Sequence, residues 1–265
     1  MFSSTILSFY LSWIQACTFG WFGPVCKYKC RCTADSCDLD GVCTGTSRCK
    51  PGWFGPACQY ADVAYRTNSI PEAIDGNDNT CISSLKEEYI VIELNGSYIF
   101  TWLRILLSQA GFLATLQVKY LTKASIMECI NGSSFNVDNL TIDIVCHIPM
   151  QIFGVNITGE GLKYLCSVYI SGGRNLALRE KARQTSVYSE LINNVRFNFT
   201  ADKAVDSRPN GRLHQGTGCA HTLQSSSMSE KWCVTFSQPR RINRYVIYNR
   251  LGGTCNCVFV CLLNK

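Results

Sequence analysis

Eight of the seventeen cysteines lie between Cys17 and Cys58. A segment this short buries too little apolar surface to offset the chain entropy that it loses on folding, so covalent cross-links are needed. The string Gly-Trp-Phe-Gly-Pro-x-Cys occurs twice, ending at Cys26 and at Cys58, and each copy closes a short loop between two cysteines. The spacing predicts a disulfide-rich module but leaves the pairing of the cysteines open.

A zinc cluster is the alternative explanation of dense cysteine. Structural zinc takes four ligands, usually from Cys-x2–4-Cys pairs. The Cys30-x-Cys32 spacing and the two long cysteine loops fit such pairs poorly. Disulfide bonds are therefore the prediction for this stretch.

The doubled string and its spacing resemble epidermal growth factor-like modules of the laminin and multiple-EGF scavenger-receptor type. The resemblance implies one and a half such modules within residues 17–60. It also implies four disulfide bonds: Cys17–Cys26, Cys30–Cys37, Cys32–Cys43 and Cys49–Cys58.

An apolar run from Ile6 to Ile14 precedes the module and is followed by the small residue Ala16. This pattern is typical of a signal peptide, here residues 1–16, cleaved after Ala16. A short membrane anchor is the alternative, because no Lys or Arg precedes the run. No later window approaches the about 20 apolar residues of a transmembrane helix. The chain is therefore expected to be secreted and extracellular.

Composition excludes other classes of function. The net charge of +6 is spread over 265 residues, and its basic clusters lack interleaved aromatic side chains, so nucleic-acid binding is not expected. The histidines have no nucleophile elbow or cysteine-protease signature beside them. We expect no enzymatic activity.

Five Asn-x-Ser/Thr sequons follow the module. In a secreted chain they predict N-linked glycosylation and surface-loop positions. The asparagines are Asn95, Asn131, Asn139, Asn156 and Asn198.

Beyond Asp62 the apolar runs are strand-length, β-branched or aromatic, and separated by Asn, Gly or Ser. Such runs predict short antiparallel strands of a sandwich. They are Tyr89–Leu94, Trp102–Leu107, Thr115–Leu121, Ile142–Cys146, Phe153–Ile157 and Tyr164–Ile170.

The remainder of the chain is predicted to contain two copies of one unit. Asp62-Val-Ala-Tyr-Arg matches Asn175-Leu-Ala-Leu-Arg, and Ala73-Ile-Asp matches Ala204-Val-Asp. Residues 61–173 would form a complete first copy. Residues 174–265 would form a truncated second copy, because a sandwich needs roughly 100 residues.

The order of these motifs resembles the F-type lectins, or fucolectins, which are relatives of discoidin domains with a galactose-binding-like jelly roll. The expected fold class is then mainly β: a small disulfide-rich EGF-like module, an antiparallel β-sandwich and an incomplete second one. The resemblance implies two more disulfides, Cys81–Cys166 and Cys129–Cys146.

In that family His and Arg side chains grip the sugar beside a disulfide. The first copy lacks them, since Ser108 stands at the Arg position. The second copy offers His214, His221 and Arg250 as candidate sugar-binding residues, although two further family residues are replaced. Solvent-facing side chains are the alternative for these three.

The family also carries a structural calcium ion, and the resemblance implies Asp75, Asn77 and Thr80 as its ligands. Oxygen ligands on an irregular loop suit calcium. The alternative is a turn that Asp75 and Asn77 stabilise by bonding their own backbone. In the second copy Arg208 argues against an ion.

The leading expectation is a secreted or cell-surface recognition protein that binds glycans or cell-surface and microbial ligands. The alternative is an adhesion or structural extracellular protein that acts through protein contacts. An odd number of cysteines after residue 200 also predicts a free thiol or a disulfide-linked oligomer. These are Cys219, Cys233, Cys255, Cys257 and Cys261.

Overall fold

The computed structural model describes residues 17–65, 67, 69–84, 87–148, 150–207, 219–223, 230–242, 245–247 and 259–263, the last range as backbone only. The expected signal peptide lies outside these residues. Strands dominate the described chain. None of its described helices is long and apolar enough to cross a membrane.

The N-terminal disulfide-rich module, residues 17–60, contains two copies of one small hairpin. Strand β1 (Trp21–Phe22) pairs with β2 (Tyr28–Lys29), and β3 (Trp53–Phe54) pairs with β4 (Tyr60–Ala61). The Cys17–Cys26 bond closes the first hairpin, which we call the first disulfide loop.

The Cys49–Cys58 bond closes the second disulfide loop in the same way. The repeated glycines have a steric cause. Gly23 and Gly55 have positive φ angles, and a Cβ atom on either would lie 2.5 or 2.7 Å from the ring of Tyr28 or Tyr60. Only glycine allows this close approach of turn and ring.

One implied disulfide is absent. Cys32–Cys43 is formed, but Cys30 and Cys37 are free thiols. Their sulfurs face each other at hydrogen-bonding range, and burial followed by the contact with Cys30 raises the pKa of Cys37 to about 12. A disulfide needs its sulfurs about 2.05 Å apart, so the Cys30–Cys37 prediction is wrong for this structure.

The first sandwich, residues 61–173, consists of two four-stranded antiparallel sheets. Their strand orders are β12-β6-β10-β9 and β5-β11-β7-β8. The strands are β5 (Tyr89–Ile99), β6 (Trp102–Leu107), β7 (Gln117–Thr122), β8 (Ile126–Met127), β9 (Ser133–Asn136), β10 (Thr141–Val145), β11 (Gln151–Thr158) and β12 (Leu165–Ile170).

Alternating side chains build the core between these sheets. On β6, Leu103, Ile105 and Leu107 are fully buried, whereas Trp102 and Arg104 point to the other face and are half-buried. This period of two is the strand pattern. Inward residues of β5 and β11 complete the same cluster from the opposite sheet.

All six sequence-predicted runs overlap strands, and the described chain is mainly β with antiparallel sheets. Thr115 and Tyr164, the first residues of two runs, instead end short helical turns. Prediction missed β8 and β9. Strand β8 has only two residues, and β9 reads Ser-Ser-Phe-Asn, with every residue exposed.

Two disulfides lie in the first sandwich. Cys81–Cys166 ties the loop before β5 to strand β12, and Cys129–Cys146 ties the turn before β9 to the end of β10. Both are the pairs that the family resemblance implies.

The second disulfide loop packs on the outer face of the first sandwich. The ring of Phe54 stacks on Tyr169 with centroids 5.1 Å apart and an interplanar angle of 10°, and it lies 4.8 Å from Trp102. Tyr60 meets Trp102 edge to face at 5.0 Å. These aromatic contacts join the module to β6 and β12.

The first and last residues of the sandwich lie side by side. The Ala61 amide donates to the Gly173 carbonyl at 3.0 Å, and the Gly172 amide donates to the Ala61 carbonyl at 2.8 Å. Asp62 forms a bridge with Ser171 at the same place.

The second unit, residues 174–263, has a different and smaller sheet in its described residues. β16 (Lys231–Thr235) lies between β13 (Lys181–Gln184), which is antiparallel, and β17 (Phe259–Leu263), which is parallel. A separate hairpin joins β14 (Ser189–Ile192) to β15 (Val195–Asn198).

One pair of the matched sequence motifs has a similar local structure. Helix α1 (Pro71–Ile74) ends at Asp75, and the helical turn Ala201–Val205 ends at Asp206. Ile74 and Val205, at matching positions, are both buried. The C-terminal tail contributes β17.

The first disulfide loop contacts the second unit. Lys27 forms an ion pair with Glu180, whose side chain is only 6% exposed. The Arg179 guanidinium lies 3.4 Å from the ring centroid of Trp21 and donates to the Cys26 carbonyl. Each disulfide loop therefore contacts a different β-unit.

Candidate carbohydrate-binding surface

The sugar-binding residues predicted from the family lie mostly outside the described chain. His214 and Arg250 are not among the described residues. His221 is described and half-buried.

His221 is held by its backbone and its ring. Its amide donates to the Phe199 carbonyl at 3.0 Å, and its carbonyl accepts from the Tyr188 amide at 2.9 Å. The imidazole packs on the Tyr188 ring at 4.7 Å, and Nδ1 contacts the Thr222 carbonyl. A sugar contact by His221 would therefore use Nε2.

The predicted calcium ligands bond one another. The Asn77 amide donates to Asp75 Oδ1 at 2.7 Å, and Asn77 Nδ2 donates to Thr80 Oγ1 at 2.6 Å. The Thr80 amide donates to the Asn77 carbonyl at 2.9 Å. This is the Asx-stabilised turn that the sequence offered as the alternative.

A cation already contacts this turn. Arg48 of the disulfide-rich module donates to Asn77 Oδ1 at 2.6 Å. Calcium takes six to eight oxygen ligands, and a guanidinium on one of them opposes a second positive charge. The residues as arranged do not fit the ion, and calcium stays a prediction.

Asp78, which the sequence did not single out, is the acid next to this turn. Its Oδ1 accepts from Ser167 Oγ at 2.7 Å and from the Tyr169 hydroxyl. Burial is the largest cause of a raised pKa for the Tyr169 phenol, and the negative charge of Asp78 is the next largest. No local pattern could have found this contact, because Asp78 and Tyr169 lie far apart in the sequence.

The described residues contain one group of close cysteine sulfurs, from Cys32, Cys43 and Cys58. These sulfurs belong to the Cys32–Cys43 and Cys49–Cys58 disulfides, whose nearest atoms are 3.4 Å apart. A metal needs thiolate ligands, so this group is a packed pair of disulfides.

A different surface of the first sandwich combines two aromatic rings with a lysine and a serine. Phe112 and Tyr164 lie with ring centroids 4.6 Å apart, and the Lys163 ammonium lies 5.3 and 5.2 Å from the two centroids. Ser108, at the end of β6, donates its amide to the Tyr164 carbonyl at 2.8 Å. We call these four residues the aromatic platform.

Two short helical turns position the platform. Leu113–Thr115 follows Phe112, and Glu160–Tyr164 precedes β12. Thr115 Oγ1 accepts from the Gly161 amide at 3.0 Å and so ties the turns together. Gly159, with φ of 122°, leaves no room for a Cβ, which would lie 2.1 Å from the Thr115 carbonyl.

The platform combines two kinds of contact. Half-buried rings offer an apolar face, while the exposed lysine offers three donors. The Ser108 hydroxyl donates to the Tyr164 carbonyl at 3.2 Å and offers its lone pairs as acceptors. A pyranose has an apolar C–H face and hydroxyl edges, so both kinds of contact can be made at once. Sequence reasoning reached only Ser108, because Lys163 and Tyr164 come from a distant segment and Phe112 has no partner in its own segment.

No family model and no curated protein matches the sequence. Similar solved structures include the module CpGH89CBM32-4 of Clostridium perfringens in selenomethionine form. It is 11% identical, has a TM-score of 0.34, and the match covers 43% of this chain and 100% of that one.

A second structure holds the same module in complex with GlcNAc-α-1,4-galactose. It is 11% identical, has a TM-score of 0.33, and the match covers 42% of this chain and 93% of that one. Likeness at this level concerns the fold and gives no correspondence between binding residues.

Proposed function

We propose that this chain is a secreted, non-enzymatic recognition protein whose first sandwich binds glycans through the aromatic platform. The observation that carries the proposal is the pair Phe112 and Tyr164, with Lys163 across both rings. The disulfide bonds agree with an oxidising compartment. The EGF-like resemblance points to the same extracellular setting, whereas the F-type lectin resemblance implies sugar binding by the second unit.

Lys163 has a defined part in this proposal. In the free protein its ammonium rests over the two rings, a contact worth about 0.5–1 kcal/mol at an exposed position. A sugar ring that packs on Phe112 displaces the ammonium sideways, where it donates to hydroxyl groups. Binding therefore replaces one cation–π contact with ring packing and charge-assisted hydrogen bonds.

A glycan array tests the proposal, with terminal galactose, fucose and N-acetylhexosamine ligands probed in calcium and in chelator. We expect binding that Lys163→Ala weakens roughly tenfold, the equivalent of about 1.4 kcal/mol. Phe112→Leu should weaken it as well while keeping an apolar side chain over the core.

The matched control is Lys123→Ala, which removes an exposed lysine from the turn between β7 and β8. It should leave binding unchanged. Equal binding by Lys163→Ala and the parent protein, or no array signal from folded protein, contradicts the proposed site. A signal that disappears only in chelator would revive the calcium prediction.

The second candidate is an adhesion or structural role through protein contacts. The observation in its favour is the exposed apolar segment Tyr245-Val246-Ile247, whose side chains are at least half exposed. Such a patch is typical of a contact surface. An extracellular partner that stays bound to Lys163→Ala and is lost on Val246→Lys would favour it.

A further inference from the structure

Four of the five sequon asparagines are exposed and lie on edge strands or in the turns next to them. These four are Asn95, Asn131, Asn139 and Asn198, whereas Asn156 is half-buried. This corrects the expectation that all five lie on surface loops. Only Asn131 and Asn139 lie in turns.

Asn131 and Asn139 bracket strand β9, which is the open edge of one sheet. Strand β9 pairs with β10 on one side, and no described residue pairs with its other side. Phe135 on β9 is 58% exposed, and Val137 just beyond it is 50% exposed. An exposed apolar edge of this kind is a template for pairing with another chain.

The structure holds both bracketing asparagines in place. The Cys129–Cys146 disulfide fixes the turn of Asn131. Asp138 accepts from the Leu140 amide at 2.7 Å and from Thr141 Oγ1 at 3.1 Å, which fixes the turn of Asn139. A glycan on either asparagine would therefore project from a defined point.

Asn95 stands on the open edge of the other sheet. It belongs to β5, the terminal strand in the order β5-β11-β7-β8. The pairing of β5 with β11 skips from Glu93 to Tyr98, so Asn95 lies on a segment that bulges away from the ladder. Its side chain is exposed.

Asn156 differs from these three in every respect. It lies on β11, paired with Val91 on one side and Lys119 on the other. Its Oδ1 is buried. A glycan there would have to emerge from the middle of a sheet between two neighbouring strands.

We propose that Asn95, Asn131 and Asn139 carry N-linked glycans that shield the β5 and β9 edges of the first sandwich, and that Asn156 is unmodified in the folded protein. A bulky hydrated glycan beside an edge strand blocks the approach of a second backbone. It thus replaces the charged or proline residues that commonly protect edges, which β9 lacks.

The first test is a glycopeptide map of the chain secreted from animal cells. We expect glycans on Asn95, Asn131 and Asn139 and an unmodified Asn156. Unmodified Asn131 and Asn139, or a glycan on Asn156 in the folded monomer, overturns the proposal. The result does not depend on any sugar ligand, so it can fail while the proposed function stands.

The second test is the oligomeric state by light scattering. Asn131→Gln with Asn139→Gln should raise the molar mass at least twofold through non-covalent association, which a non-reducing gel separates from disulfide-linked chains. Adding Phe135→Lys to the double variant should restore the monomer, because a charge on the edge opposes pairing. Asn198→Gln removes the sequon of the second unit and should leave the molar mass of the polypeptide assembly unchanged.

If the double variant is not secreted, an endoglycosidase can trim each glycan of the folded parent protein to a single sugar. Association after trimming supports the shielding role. A double variant or a trimmed protein that stays monomeric refutes it.

Discussion

Asp62 is a carboxylate buried at the junction of the module and the first sandwich. Its Oδ1 accepts from the Ala64 and Ile170 amides at 3.0 Å each, and its own amide donates to the Gly52 carbonyl. Its Oδ2 is buried with no hydrogen-bond donor among the described residues. Burial outweighs the two amide bonds and raises the pKa of Asp62 to about 7.

Asp62→Asn should remove a pH dependence of stability. The folded pKa lies above the usual 3.8, so the folded state binds the proton more tightly. The free energy of unfolding is then highest below about pH 4 and falls as pH rises to about 7. The parent protein should lose on the order of 2–4 kcal/mol over this range.

The variant should show a flatter profile, because asparagine keeps the acceptor for both amides and carries no charge. Urea unfolding between pH 4 and pH 8 measures this difference. Asp75→Asn, which changes an exposed aspartate, is the control. Parallel profiles for parent and Asp62→Asn would contradict the assigned role.

At the scale of single residues, the sequence predicted the contacts that are made between residues close to each other in the chain. The Asx turn of Asp75 and Asn77 is local, and the spacing of two residues indicates it. The contacts of Arg48 with Asn77 and of Asp78 with Tyr169 join distant segments, so no spacing revealed them. The calcium prediction did not fit for that reason.

Among the elements, the two disulfide loops share a sequence but make different contacts. Phe54 of the second loop is buried against Tyr169 and Trp102. In the first loop, Phe22 is buried within the module and meets Tyr28, while Trp21 faces Arg179. The same turn therefore serves an aromatic interface in one place and a charged one in the other.

Phe54→Ala should loosen the module from the first sandwich. Truncating a buried phenylalanine costs about 3–5 kcal/mol, and part of that stabilisation lies across this interface. Calorimetry should then resolve a separate, earlier transition, and proteases should cut near Gln59. Phe135→Ala removes an exposed ring and serves as the control. A single unshifted transition for Phe54→Ala would refute the coupling.

The strands of the first sandwich were predictable because each alternates or runs apolar between polar turns. Strand β9 was not predictable, because its mostly polar sequence carries no strand pattern and it is a strand only through its pairing with β10. The Cys30–Cys37 prediction failed because it, too, depended on tertiary packing. Spacing indicates which cysteines belong to one module, while the approach of two sulfurs is decided by packing that spacing does not encode.

In the whole molecule, the chain bends back so that its first disulfide loop meets the second unit. Lys27 pairs with Glu180, and Ser237 donates to both Glu180 oxygens. Burial opposes ionisation of Glu180, but the bonds from Lys27 and Ser237 prevail and lower its pKa. A lowered pKa means that this contact stabilises the fold at neutral pH.

Glu180→Gln should weaken the contact between the first disulfide loop and the second unit. Glutamine keeps an acceptor for Ser237 and leaves Lys27 without a counter-ion, so we expect a loss of about 1–2 kcal/mol at pH 7, discounted because Lys27 is partly exposed. The parent protein should lose the same contribution as pH falls below about 4.5. Denaturant unfolding at pH 7 and pH 4 measures both effects, with Glu160→Gln as an exposed control.

If the free energies of unfolding of Glu180→Gln and the parent protein differ equally at both pH values, the ionised Glu180–Lys27 pair is not the source of the stabilisation.

The sequence predicted the two disulfide loops and the two β-units, but the contacts between a loop and a unit required the folded structure. Arg179 and Glu180 carry no signature of an interface, because charged residues at this spacing are usual on any solvated surface.

The first sandwich begins and finishes at one point, where the Ala61 amide donates to the Gly173 carbonyl and the Ala61 carbonyl accepts from the Gly172 amide. Adjacent termini make a domain easy to insert or transplant. A gene that copied this segment in tandem would leave the flanking chain almost undisturbed, and an engineer could excise residues 61–173 and bridge the gap with a few glycines.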